Sequence, residues 1–73
     1  MKQKAVFLAD IATVELAGGD LDQACASAGQ AADLLRRAGY AVGLGRLREF
    51  RRSVQQWADA TPVRTLDEQL AVL

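Results

Sequence analysis

Cys25 is the single thiol in a chain of 73 residues that contains no histidine. A cysteine, serine or threonine becomes a catalytic nucleophile when an adjacent base takes its proton, and imidazole is the usual base. Cys25, Ser27, Ser53 and the threonines all lack that partner. One cysteine closes no disulfide within the chain, and without histidine there is no ordinary zinc site. Cys25 stands in a run of small apolar residues and reads as a core residue, kept reduced in a cytosolic compartment. Two carboxylate pairs, Asp20 with Asp22 and Asp67 with Glu68, have the composition of an acid–base dyad. Both lie at turns and helix caps, where the helix dipole accounts for them. The expectation is no catalytic residue, no metal ligand and no cofactor, hence no enzyme.

Two further groups have the composition of phosphate sites. Gly39, Gly43 and Gly45 suggest a phosphate loop, but Arg48 stands where a dinucleotide fingerprint has its third glycine, and no strand signal precedes the run. These glycines read as a helix junction. The arginines Arg46, Arg48, Arg51 and Arg52 form the second group, with Arg48, Arg51 and Arg52 on one side of a helix as a possible basic patch. Glu49 has the spacing to pair with Arg46 or Arg52. Leu47, Phe50 and Trp57 belong to a packing stripe and are not free to stack on bases. Nine basic and nine acidic residues cancel, whereas a dedicated nucleic-acid binder shows a basic excess. A solvated helix face is the preferred reading, with a small nucleic-acid-binding protein using the arginine-rich third helix as the alternative.

The elements that position these residues are all α-helical. Residues 3–17 form a first helix that is apolar most of the way round, with Asp10, Thr13 and Glu15 as its polar interruptions after Lys4. Such a helix expects neighbours on more than one side. Gly18-Gly19-Asp20 stops it: glycine supplies the left-handed closing geometry and Asp20 caps the next helix. Residues 21–38 follow with Leu21, Ala24, Cys25, Ala28, Ala31, Ala32 and Leu35 on one face. That mostly alanine face brings two helices to the short end of the usual 8–10 Å separation. The short turn makes them antiparallel, a hairpin over residues 3–38.

After a break at Gly39 and Tyr40, a third helix spans residues 42–60, with Leu44, Leu47, Phe50, Val54 and Trp57 as its stripe. Thr61 as cap and Pro62 in the first turn open a short capping helix over residues 62–73, whose apolar face is Val63, Leu66, Leu70 and Leu73. Its start has an alternative at Thr65, which has capping-box spacing to Glu68. A chain this short buries only about 60% of its unfolded surface, so stability is marginal. Lys2 and Lys4 precede apolar residues, but Asp10 and Glu15 interrupt the run, and nothing reaches the ~20 apolar residues of a membrane span. The chain reads as one soluble, cytoplasmic helical domain.

Leu8, Ile11, Ala12, Gly19, Ala24, Ala28 and Ala31 stand where a tetratricopeptide repeat has its large, small and turn positions, and the stretch from Leu8 to Ala32 resembles that 34-residue helix hairpin. It departs at Glu15 and Ala28, where the repeat prefers aromatics, and at Arg36, where proline often ends the unit. The phrase Ala17-Gly18-Gly19-Asp20-Leu21-Asp22-Gln23-Ala24-Cys25, with Leu47-Arg48-Glu49-Phe50-Arg51-Arg52 and Val63-Arg64-Thr65-Leu66-Asp67-Glu68-Gln69-Leu70, is more specific. It resembles the tail of helix-turn-helix transcriptional regulators of the xenobiotic-response-element type from GC-rich Gram-positive bacteria, over about Val6 to Leu70.

The resemblance implies a regulatory module that senses a peptide or partner protein, or mediates dimerisation, without the DNA-binding domain. It also implies a detached or truncated C-terminal end, or a short gene derived from one. On the first helix, Val6, Ala9, Thr13 and Leu16 would face a repeat groove. They either line a peptide site or, by preference, pack against a missing preceding repeat or a second copy. Membrane and nucleic acid are not expected as partners of this chain alone.

Overall fold

A computed structural model describes the backbone of residues 2–38 and 41–72, with side chains over residues 6–37 and 44–72. The expected break at Gly39-Tyr40 and the last apolar position, Leu73, lie outside the described residues, as do the side chains of Lys2 and Lys4. The architecture is all-α: α1 (Lys2–Ala17), α2 (Leu21–Ala38), α3 (Ala41–Ser53), a 3-10 turn over Gln55–Trp57, and α4 (Thr61–Ala71).

The α1–α2 turn follows from three residues. Gly19 has φ of +87°, the left-handed conformation that a β-carbon disfavours. Its amide donates to the Leu16 carbonyl at 2.9 Å and the Asp20 amide donates to the Glu15 carbonyl at 3.0 Å. This bond pair closes a helix around a left-handed glycine. Asp20 then begins α2: its carboxylate accepts from the Gln23 amide at 3.1 Å, and its carbonyl accepts from the Ala24 amide at 2.9 Å. One residue therefore ends one helix and caps the next.

α2 is the centre of the molecule and packs against α1, α3 and α4, while α1 packs on α2 and α3. The α1–α2 half of the core is built from Ala9, Ala12, Ala24, Cys25, Ala28, Ala31, Ala32 and Leu35, all buried. The largest fully buried side chains, Phe50, Leu47, Leu66, Val54 and Val63, come from α3, the turn after it and α4.

The third helix is shorter than expected. It ends at Ser53, and the Trp57 amide donates to the Val54 carbonyl at 2.9 Å, a three-residue step. The Ser53 hydroxyl donates back to the Glu49 carbonyl at 3.1 Å, the local bond by which serine competes with helix continuation. The seven-residue spacing that would stack Trp57 over Phe50 is lost, and Trp57 is 39% exposed. Thr61 is not the cap of α4 either. Ala60 holds that place with extended backbone, Thr61 and Pro62 begin the helix, and the alternative start at Thr65 is not used.

Candidate interaction surface

α1 has two unlike sides, since each residue is rotated about 100° from the last and positions three or four apart share a face. Ala9 and Ala12 are buried in the shared core. On the opposite side Phe7 is 64% exposed and Val14 is 70% exposed, with half-buried Ile11 between them. Positions 7, 11 and 14 follow the i, i+4, i+7 spacing of one helix face, so these side chains form a continuous apolar strip.

This strip is not the one expected from sequence. Of the four residues expected there, Ala9 is 2% exposed and belongs to the core. Leu16 is partly buried and packs against that core. Val6 is half-buried, and Thr13 is exposed, its hydroxyl donating to its own helix at the Ala9 carbonyl, 3.2 Å away. The cause is α3. It packs on α1 along the flank marked by the Asp10–Arg46 ion pair at 2.8 Å, one residue from Ala9. The open strip is thereby turned toward Phe7 and Val14.

The opposite flank of α1 is fixed by Glu15, which accepts a hydrogen bond from Ser27 at 2.6 Å. Ser27 is the one buried polar residue among those described, at 4% exposure, and Glu15 satisfies it. The available signal was the position of Ser27, three residues after Ala24 and four before Ala31, which places it at the edge of the buried face. Asp10 and Glu15 thus link α1 to α3 and α2 on the flanks of the exposed strip.

The arginines divide into two kinds. Arg51 donates to both carboxylate oxygens of Asp67, at 2.5 and 3.1 Å, and to the Gln55 side chain at 2.9 Å. The Asp67 carboxylate beside it holds its guanidinium even more firmly protonated than usual. Arg51 is therefore a clasp between α3 and α4. Arg48 and Arg52 are exposed and have no ion-pair partner among the described residues. Arg46 is paired with Asp10, and among the described residues Glu49 forms an ion pair with neither Arg46 nor Arg52. With Leu44, Arg51 and Leu70, the two open arginines line a cleft of about 440 Å³.

Comparison with protein-family models, with characterised proteins and with solved structures gives no match.

A second groove, of about 470 Å³, runs between α2 and α4 beside Cys25, Gly29 and Gln69. Burial pushes the Cys25 thiol up, with nearby Asp22 adding to the effect, so the protonated, unreactive form dominates at neutral pH. Asp33 pairs locally with Arg36 at 2.6 Å and Arg37 at 3.4 Å. The Arg36 hydrogen bond, aided by the Arg37 charge, holds its carboxyl below the ordinary value. Among the described residues no group of three or more metal-binding side chains is present. No helix among them is long and apolar enough to cross a membrane.

Proposed function

We propose that the chain is a protein-interaction module of tetratricopeptide-repeat type, the regulatory C-terminal part of a bacterial transcriptional regulator acting in the cytoplasm. It engages a protein or peptide partner, or a second copy, through α1. The observation that carries this reading is the exposure of Phe7 and Val14 on a helix whose opposite side buries Ala9 and Ala12 in the core. Large apolar side chains that follow one helix face into solvent mark an interface. The order of packing also supports a repeat: α3 lies against both α1 and α2, and α4 returns onto α2.

The mechanism is burial of the Phe7–Ile11–Val14 strip, with neither a catalytic step nor direct reading of DNA. Sedimentation velocity over a concentration series tests it. The wild-type chain is expected to self-associate or lose solubility as concentration rises, and a double variant, Phe7→Ser with Val14→Ser, to remain monomeric. A wild-type chain that stays a folded, fully soluble monomer at millimolar concentration sinks the reading.

A further inference from the structure

The α3–α4 cleft is a second surface, away from the α1 strip and independent of it. Its floor is apolar, from the half-buried Leu44 and Leu70, and its rim carries the open guanidiniums of Arg48 and Arg52. At its inner edge Arg51 already holds one carboxylate with two parallel hydrogen bonds, that of Asp67. The cleft thus shows its own chemistry toward carboxylates, and two of its three guanidiniums have none among the described residues.

Leu44, Arg48 and Arg52 are spaced four residues apart, so they rise along one side of α3 in steps of about 6 Å. Alternate residues of an extended peptide face one way in steps of about 6.7 Å. An extended segment laid along α3 therefore matches three successive stations: an apolar side chain over Leu44 and Leu70, then a carboxylate at Arg48 and another at Arg52. We propose that this cleft binds a short acidic peptide in extended form, of pattern apolar-x-acidic-x-acidic. Arginine suits this task because its planar fork takes a carboxylate bidentately.

A nucleic acid fits the same cleft less well. Arg51 is neutralised by Asp67 and the floor is aliphatic, which leaves two charges where a phosphate backbone needs a longer row. The test is titration of isotope-labelled protein, followed by NMR, with acetyl-Leu-Ser-Glu-Ser-Glu-amide, its glutamine counterpart, and a short DNA duplex. The glutamate peptide should shift the amide resonances of Leu44, Arg48, Arg52 and Leu70, and the glutamine peptide should bind about tenfold more weakly.

Arg48→Gln with Arg52→Gln should abolish the shifts while leaving the circular dichroism spectrum unchanged and the melting temperature within a few degrees, because both side chains are exposed and glutamine keeps helix propensity without adding like charges. Phe7→Ser with Val14→Ser should leave peptide binding intact, which separates this site from the α1 strip. Equal binding of both peptides, preferential binding of the duplex, or no binding of any probe overturns the proposal.

Discussion

Replacing Gly29 by alanine sets two opposing effects against each other, and the structure decides the sign. Gly29 is buried in the interior of α2, where glycine costs about 1 kcal/mol relative to alanine. A β-carbon built there would be too close to its neighbours, and the three nearest atoms all belong to the Gln69 side-chain amide. That amide is the end of a flexible, exposed side chain, so moving it aside costs roughly 0.5 kcal/mol. Gly29→Ala should therefore stabilise the protein by about 0.5 kcal/mol, or about 2–4 °C in melting temperature. In a Gln69→Ala background the obstruction is gone and the gain should reach about 1 kcal/mol.

Urea denaturation of the four proteins in the cycle, followed by far-ultraviolet circular dichroism, yields the coupling directly. The change is measurable against a total stability of about 4–11 kcal/mol for a chain of this length. If Gly29→Ala costs more than about 1 kcal/mol in both backgrounds, the α4 backbone and not the Gln69 side chain limits the approach of the two helices. The account of this groove would then be wrong.

Three other outcomes are expected. Gly19→Ala should lose about 0.5–1 kcal/mol, because the left-handed backbone costs about 1–2 kcal/mol and reduced freedom of the unfolded chain returns part of it. With nothing within 4 Å of the added carbon, D-alanine at the same position should not be destabilising, as melting of a synthetic chain would show. Arg51→Ala should cost about 1–2 kcal/mol, discounted for the partial exposure of Asp67. Arg51→Lys should recover less than half of that in urea denaturation, since a point charge cannot make two parallel bonds.

Cys25 should react with iodoacetamide at least about tenfold more slowly in the folded than in the unfolded chain. Because its folded pKa is raised above the reference 9.0, its contribution to stability is intact below pH 9. That contribution declines as pH rises through the folded value, where the unfolded thiol ionises first. Cys25→Ala should remove this part of the alkaline loss in denaturation curves recorded from pH 8 to 11.

The helices and the first turn were legible because their signals are local. Gly19, Asp20 and the alanine spacing of α2 each dictate backbone geometry within a few residues, and the structure follows them. The open side of α1 was not legible. Which flank α3 covers depends on where the buried Leu47 and Phe50 of a later helix pack, with Asp10 meeting Arg46 thirty-six positions away only marking the contact, and nothing within α1 records that. Arg51 was misjudged for the same reason, since Asp67 lies in the next helix. Trp57 continued the apolar spacing of α3, but Ser53 had already ended the α-helical step on which the spacing depends. Ala9 carried an ambiguity of its own: an alanine fits a buried or an open position equally well, so its type could not choose.

The uneven distribution of side-chain bulk has a consequence for modularity. Alanine surrenders no rotamer freedom when buried, so the α1–α2 contact forms at little entropic cost. It also removes little hydrocarbon from water, and the heavy contribution comes from Phe50, Leu47, Leu66, Val54 and Val63 at the other end. The hairpin over residues 2–38 keeps Leu35 and the partly buried Leu8, Leu16, Leu21 and Leu34 as its own large apolar contacts, and leans on α3 and α4 for the rest. Transplanted alone into another protein, it should fold less stably than it does here, and its grip on whatever it recognises should weaken in proportion.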